Sequence, residues 1–193
     1  AISGTAKSYG LEFLYRLNLN KLSGWISYAY SNITRTVDLN SNNIIDSDSE
    51  IYFAKYDKPH SFNSLLSYQV SEKYSLGLTI SYGSGQTYTP VIGKVYQASQ
   101  QAYGSLENPY SNFGNIFGVK NSARYPDYFR TDFSVGRKSN LWGLESEIKF
   151  QIINLSNHFN VLLYLWDHNS SPSKVEAYSM FPLIITFGWE FNI

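Results

Sequence analysis

The run Ser8-Tyr9-Gly10-Leu11-Glu12-Phe13-Leu14-Tyr15-Arg16-Leu17-Asn18 decides the fold. It places Tyr9, Leu11, Phe13, Tyr15 and Leu17 on one parity and Ser8, Gly10, Glu12, Arg16 and Asn18 on the other. Successive side chains of a strand point to opposite faces, so this pattern describes a strand with one apolar and one wet face. After the polar break Asn20-Lys21 the alternation resumes, with Leu22, Ile26, Tyr28 and Tyr30 against Ser23, Ser27, Ala29 and Ser31, and a hairpin is predicted.

The design repeats down the chain. Phe62, Leu66, Tyr68 and Val70 oppose Ser61, Asn63, Ser67 and Gln69, and beyond Ser71-Glu72-Lys73 the residues Tyr74, Leu76, Leu78, Ile80 and Tyr82 oppose Ser75, Gly77, Thr79 and Ser81. Phe129, Phe133 and Val135 oppose Arg130, Asp132 and Ser134, while Leu144, Ile148, Phe150 and Ile152 oppose Glu145, Glu147, Lys149 and Gln151. A last strand sets Phe187, Trp189, Phe191 and Ile193 against Thr186, Gly188, Glu190 and Asn192. Short turns fall near Asn20, Glu72 and Asn140, and long polar segments at 37–58, 84–124 and 167–179. Residues 144–166 read as one long strand with a bulge around 154–160, since splitting it would put a short turn on the long-loop rim.

Short turns on one rim and long loops on the other are the arrangement of an outer-membrane β-barrel. The expected fold is therefore all-β, an antiparallel transmembrane barrel of which residues 1–193 supply about seven C-terminal strands. Single-chain bacterial barrels have even strand numbers. An odd count predicts a piece of a larger wall, whose other strands come from an upstream segment or another chain.

Composition agrees. Aromatics make up 17% of the chain and charged residues only 16%, well below the usual quarter for a soluble domain. Lys plus Arg and Asp plus Glu balance at 15 each, so no net field calls for nucleic acid. With no cysteine there is neither a disulfide framework nor a thiolate metal site. The longest apolar runs, 161–166 and 182–185, fall far short of the ~18 residues of a membrane helix. The start, Ala1-Ile2-Ser3-Gly4, carries no export signal. A soluble β-sandwich also alternates, but these strands run to ~10 residues where globular ones average ~5–6.

Several phrases resemble one family, the TonB-dependent outer-membrane transporters, and occur in that family's order. Gly10-Leu11-Glu12 followed by Leu22-Ser23-Gly24-Trp25-Ile26-Ser27-Tyr28-Ala29-Tyr30-Ser31 is similar to its glycine-x-glutamate strand and the adjoining aromatic-serine strand. Tyr56-Asp57-Lys58-Pro59-His60 resembles its Asp-Arg/Lys-Pro-His element, and Ser84-Gly85-Gln86-Thr87-Tyr88-Thr89-Pro90 its Ser-Gly-x-Pro-Tyr-Thr element, with Thr87 in place of proline. Arg124-Tyr125-Pro126-Asp127-Tyr128-Phe129-Arg130-Thr131-Asp132 resembles the Pro-x-Tyr-x-Arg-x-Asp strand. Ile153-Asn154-Leu155-Ser156-Asn157 resembles the Asn-Leu-Phe-Asn element, with Ser156 for the aromatic. The ending Phe187-Gly188-Trp189-Glu190-Phe191-Asn192-Ile193 keeps the alternating pattern, with Ile193 where the family usually has an aromatic. Leu163-Tyr164-Leu165-Trp166-Asp167 is most similar to versions found in Bacteroidota.

The resemblance implies a 22-strand type barrel in a bacterial outer membrane, closed by a plug domain and driven by the TonB complex. It implies import of a scarce ligand such as a siderophore, glycan, vitamin or peptide. The implied partners are outer-membrane lipid, upstream strands, the plug and the TonB complex, with a surface lipoprotein as a further candidate. The competing reading is a structural or interaction component of a larger outer-membrane assembly.

Seven charged residues fall on the polar parity and are candidates to face the lumen and the plug: Glu12, Arg16, Arg130, Asp132, Glu145, Glu147 and Lys149. Arg130 and Asp132 are the foremost of these, and the competing account of all seven is mutual pairing across wet strands. Loop residues Tyr88, Tyr96, Tyr103 and Tyr110 are the ligand candidates, since the segment 84–124 is rich in Tyr, Asn, Gln and Gly. Asp46-Ser47-Asp48-Ser49-Glu50 lacks the glycine and spacing of a calcium loop, and His60, His158 and His168 are not at metal-ligand spacing, so no metal or other cofactor is expected. No glycine-flanked nucleophile sits on a strand-to-helix turn, and no enzymatic activity is expected.

Overall fold

The computed structural model describes residues 4–38, 49–96, 113–141, 143–167 and 174–192. They are all-β, with every strand pairing antiparallel. β1 (Gly4–Asn18) and β2 (Leu22–Asp38) form the first hairpin, and β3 (Ser49–Phe53) returns along the far end of β2. β4 (His60–Gln69) and β5 (Tyr74–Gly83) form the second hairpin. A long excursion then carries β6 (Thr87–Tyr88), β7 (Val91–Tyr96), β8 (Phe113–Phe117) and β9 (Ala123–Arg124), nested as β7 on β8 and β6 on β9. β10 (Tyr128–Leu141) and β11 (Leu144–Ile153) make the third hairpin. β12 (Val161–Asp167) and β13 (Lys174–Ser179) pair with each other before β14 (Ile184–Asn192) rejoins the wall.

The wall is one sheet in the order β1-β2-β4-β5-β10-β11-β14, with β3 appended to β2. Its hairpin turns, at 19–21, 70–73 and around Gly143 with its φ of 82°, share one end. The three long excursions, 39–59, 84–127 and 154–183, all leave the other end. Sequence periodicity anticipated these seven wall strands and the two unlike rims. The sheet is open, with β1 and β14 as its edges among the described residues.

Register carries the alternation across the whole wall, because directly opposed residues share a face. Phe13, Tyr28, Phe62, Tyr82 and Phe129 stand opposite one another in turn, a row of five aromatics across five strands near the excursion rim. Nearer the middle runs Leu66, Leu78, Phe133, Ile152 and Ile185. Nothing among the described residues covers this face: Leu11 is 69% exposed and Phe187 68%. Among the described residues only Ala54 and Val91 are buried hydrophobic residues, whereas Asp38, Asp57, Ser64, Ser84, Thr87, Asp132, Ser146, Asn154 and Asn160 are buried polar ones. The opposite face holds the polar parity, with Leu14, Trp25, Ile33, Val37, Leu65, Ile153 and Ile184 as apolar exceptions, Trp25 and Leu65 lying side by side.

The single long strand expected over 144–166 is corrected. β11 ends at Ile153, and β12 belongs to a separate two-stranded sheet with β13. The cause is local: Asn154 (φ 55°) and Asn157 (φ 48°) both adopt the left-handed conformation that Asn tolerates better than other residues with a side chain. Asn154 is buried and ties the turn together, its Nδ2 donating to the His158 carbonyl at 3.1 Å and its Oδ1 accepting from the His158 N–H at 3.1 Å. The third long excursion therefore starts at Asn154, well before the expected Asp167, and both of its connections stay on the excursion rim.

Replacing Asn154 by Ala removes these bonds and places a Cβ-branch-free but left-handed-averse residue at φ 55°. It should cost about 1–3 kcal/mol, since the two part-buried hydrogen bonds to the His158 N–H and carbonyl are lost and an alanine is left in the left-handed region. Asn154→Gly should cost less, because only the hydrogen bonds are lost. Urea unfolding midpoints of the two variants in detergent check the order.

Candidate functional site

Two groups of polar residues stand out, one on the polar face of the wall and one where the excursions meet. On the wall, Arg130 and Asp132 follow one another on the same face of β10 and form a fork, with Nε to Oδ1 at 2.7 Å and a second guanidinium nitrogen to Oδ2 at 2.6 Å. Asp132 Oδ1 also accepts the Asn154 N–H at 2.9 Å, so the pair anchors the end of β11 to β10. Lys149 reaches Glu190 at 2.9 Å across β11 and β14 and Glu147 at 3.6 Å along its own strand. Glu12, Arg16 and Glu145 make no ion pair with any described residue. The seven sequence candidates thus share one face, and four of them are tied up in charge pairs.

At the rim the sequence places a proline-bounded turn, Tyr56-Asp57-Lys58-Pro59, against the strand pair β6 and β9. Asp57 is wholly buried. Its Oδ1 accepts the Ile33 N–H at 2.7 Å, and its Oδ2 takes an Arg124 guanidinium nitrogen at 2.5 Å. Another Arg124 nitrogen donates to the carbonyls of Asp57 at 2.9 Å and Gly85 at 3.1 Å. The buried Thr87 hydroxyl donates to the Ala54 carbonyl at 2.7 Å, and Asn121 Nδ2 donates to the Phe53 carbonyl at 2.7 Å. These bonds lock the first excursion to the second. Gly85 is required there, since a Cβ would stand 1.6 Å from the Tyr125 carbonyl oxygen.

On this lock sits an aromatic cluster drawn from two excursions. Tyr88 and Tyr125 have ring centroids 4.5 Å apart, Tyr125 and Tyr164 stack at 5.1 Å, and Tyr164 meets Tyr88 edge-on at 5.5 Å. With Trp166, Thr89, Asn121 and Lys55 they line a cleft of about 410 Å³, to which all three excursions or their flanks contribute. Burial, with Tyr164 and Tyr125 alongside, pushes the Tyr88 hydroxyl above its ordinary range, so it remains a neutral donor. Beside the cluster, Asp127 accepts the Tyr82 hydroxyl at 2.7 Å and the Gly85 N–H at 3.1 Å, and these bonds hold its carboxyl below the usual carboxylate range.

Of the expected ligand residues, Tyr88 is in this cleft. Tyr96 ends β7, and its side chain lies outside the description; Tyr103 and Tyr110 lie outside the described residues, as do Asp46, Ser47 and Asp48. Sequence reasoning did not single out Asp57, Arg124, Tyr125, Tyr164 or Trp166. All five sit inside phrases already conspicuous in the sequence, yet nothing in a linear spacing announces that Asp57 and Arg124 meet across 67 positions.

Replacing Arg124 by Met leaves the Asp57 carboxylate buried without its cation. With the Arg124 side chain 31% exposed, the low end of the range for broken buried pairs applies, about 3 kcal/mol. Asp57→Asn in the same background should recover part of that loss, and limited proteolysis of the excursions, scored as cleavage rate, measures both. Acid should act through Asp127. A carboxyl depressed in the folded state contributes stability that is fully present above its ordinary value of 3.8 and is lost as pH falls through the depressed folded value. The excursions should therefore become more cleavable by an acid-active protease below about pH 4, and Asp127→Asn should reduce that dependence.

No family model matches the chain, and neither a curated protein nor a solved structure matches it.

Proposed function

We propose that the chain forms the wall and outer-rim loops of a TonB-dependent transporter in a bacterial outer membrane, importing a scarce ligand captured at the rim. One observation carries the reading: a row of five aromatics above an aliphatic band, on a sheet face that no described residue covers. An interfacial aromatic girdle beside a hydrocarbon-facing band has this form. Charged residues on the other face suit a wet lumen, and three long excursions at one end suit the outside. In this reading the open edges β1 and β14 pair with further strands, since an unpaired edge in lipid costs several kcal/mol per exposed backbone group. A plug and the TonB complex are its further partners.

Arginine at Leu78, in the middle of the aliphatic row, should cost about 2–4 kcal/mol and block insertion, whereas arginine at Ser81 or Gln151 on the opposite face should be tolerated. Arginine at Ile148, flanked by Arg137 and Trp189 nearer the turn rim, should fall between these. The heat-modifiable gel shift of membrane-extracted protein reads folding in each case. Equal tolerance on both faces would overturn the orientation. Transport is read in whole cells, where uptake that survives a protonophore would refute an energised importer.

A further inference from the structure

The rim cleft is selective in its chemistry. Four of its lining side chains, Tyr88, Tyr125, Tyr164 and Trp166, are half-buried aromatics. Among the described residues, none of the three phenol hydroxyls and not the indole N–H makes a hydrogen bond. Tyr and Trp polar atoms normally find a partner when withdrawn from water. Here the residues that carry them line one space of about 410 Å³, within the ~300–1,000 Å³ of small-molecule sites.

Apart from Lys55, the other polar residues of the described lining are neutral. Asn121, fixed at φ 52°, has its backbone N–H on Thr89 Oγ1 at 3.0 Å and its Nδ2 on the Phe53 carbonyl, which leaves one amide hydrogen and a lone pair for another molecule. Among the described residues of the lining Lys55 is the one charged side chain, and no carboxylate accompanies it. A phosphate-bearing or polycarboxylate ligand would call for several cations or an Arg fork, and a cationic ligand for carboxylates. A purely apolar ligand would strand the phenols.

We propose that this cleft binds a neutral saccharide. A sugar ring offers C–H faces that pack on tyrosine and tryptophan rings, and hydroxyls at its edge that both donate and accept. The phenols supply both functions at that edge and the Asn121 amide one further hydrogen and lone pair, while the Thr89 hydroxyl, which donates to Asn121 Oδ1 and accepts its N–H, keeps one lone pair. The assignment names the substrate class of the transporter proposed above and rests on that reading.

The test uses the full polypeptide in detergent, titrated calorimetrically with maltohexaose, cellohexaose and xylohexaose. At least one should bind saturably. Tyr164→Ala combined with Trp166→Ala should weaken binding by about tenfold or more, and Tyr88→Phe, which keeps the ring packing, by roughly three- to tenfold for the lost hydrogen bond. Absence of saturable binding to all three overturns the proposal, as does undiminished affinity in the double variant of a protein that still folds. Saturable binding of the ferric siderophore ferrichrome with none of the sugars also overturns it. Failure of the wall reading is separately visible: the parent protein would then show no heat-modifiable barrel, whatever the cleft binds.

Discussion

The structure depends on one constraint, an apolar sheet face that no described residue covers. In a water-soluble domain such a face would pack on a second layer, and the buried residues would be mostly Leu, Ile, Val and Phe. Here that pattern of burial is inverted. The buried residues are mostly Asp, Ser, Thr and Asn, and the large apolar side chains are at the surface. In the outer-membrane reading proposed above, hydrocarbon is the second layer, and that reading accounts for both halves of the inversion. Burial of the face then comes from the solvent, and side-chain specificity is left to hydrogen bonds and charge pairs on the wet side.

That division explains why the polar networks are so complete. Asp132 accepts from Arg130 and from the Asn154 N–H, so one carboxylate fixes a guanidinium and the end of a neighbouring strand. Asp57 plays the same part at the rim, receiving the Ile33 N–H and Arg124 while wholly buried. A buried carboxylate is costly unless every lone pair is used, and these two come close to that limit. Their return is geometric: each joins segments that sequence distance would otherwise leave independent. The aromatic cleft stands on the Asp57 lock, which makes its walls fixed features of the fold.

Much of this was legible in the residues. Period two is enforced by sheet geometry, so each of the seven wall strands announced its face, and the cross-strand register then agreed with every parity assignment. The misreading at 144–166 came from the asparagines. Apolar residues continue beyond Ile153, and periodicity alone does not separate a bulge from two left-handed residues that turn the chain out of the sheet. The rim site was legible only in fragments. Tyr88 drew attention because its loop is polar and aromatic, but Tyr125 and Tyr164 come from different excursions, and their stacking is a property of how those excursions dock.

The charged wall residues divide by the same logic. Arg130, Asp132, Lys149 and Glu147 are engaged within the wall, and breaking them would cost structure before it cost recognition. Glu12, Arg16 and Glu145 form no such pairs among the described residues, which leaves their charge facing the wet side uncompensated. Arg16 lies opposite Trp25, and Trp25 opposite Leu65, so a cation with no ion pair among the described residues borders a small apolar patch on that face. A mixed patch of this kind is what a packed protein body contacts better than water does, since the indole and leucine gain burial while the guanidinium finds acceptors. In the proposed transporter, a rim cleft whose one described charge is Lys55, above a wall where Arg130 pairs with Asp132 and Lys149 with Glu190, would give a ligand no deep electrostatic trap, as passage requires binding weak enough to leave.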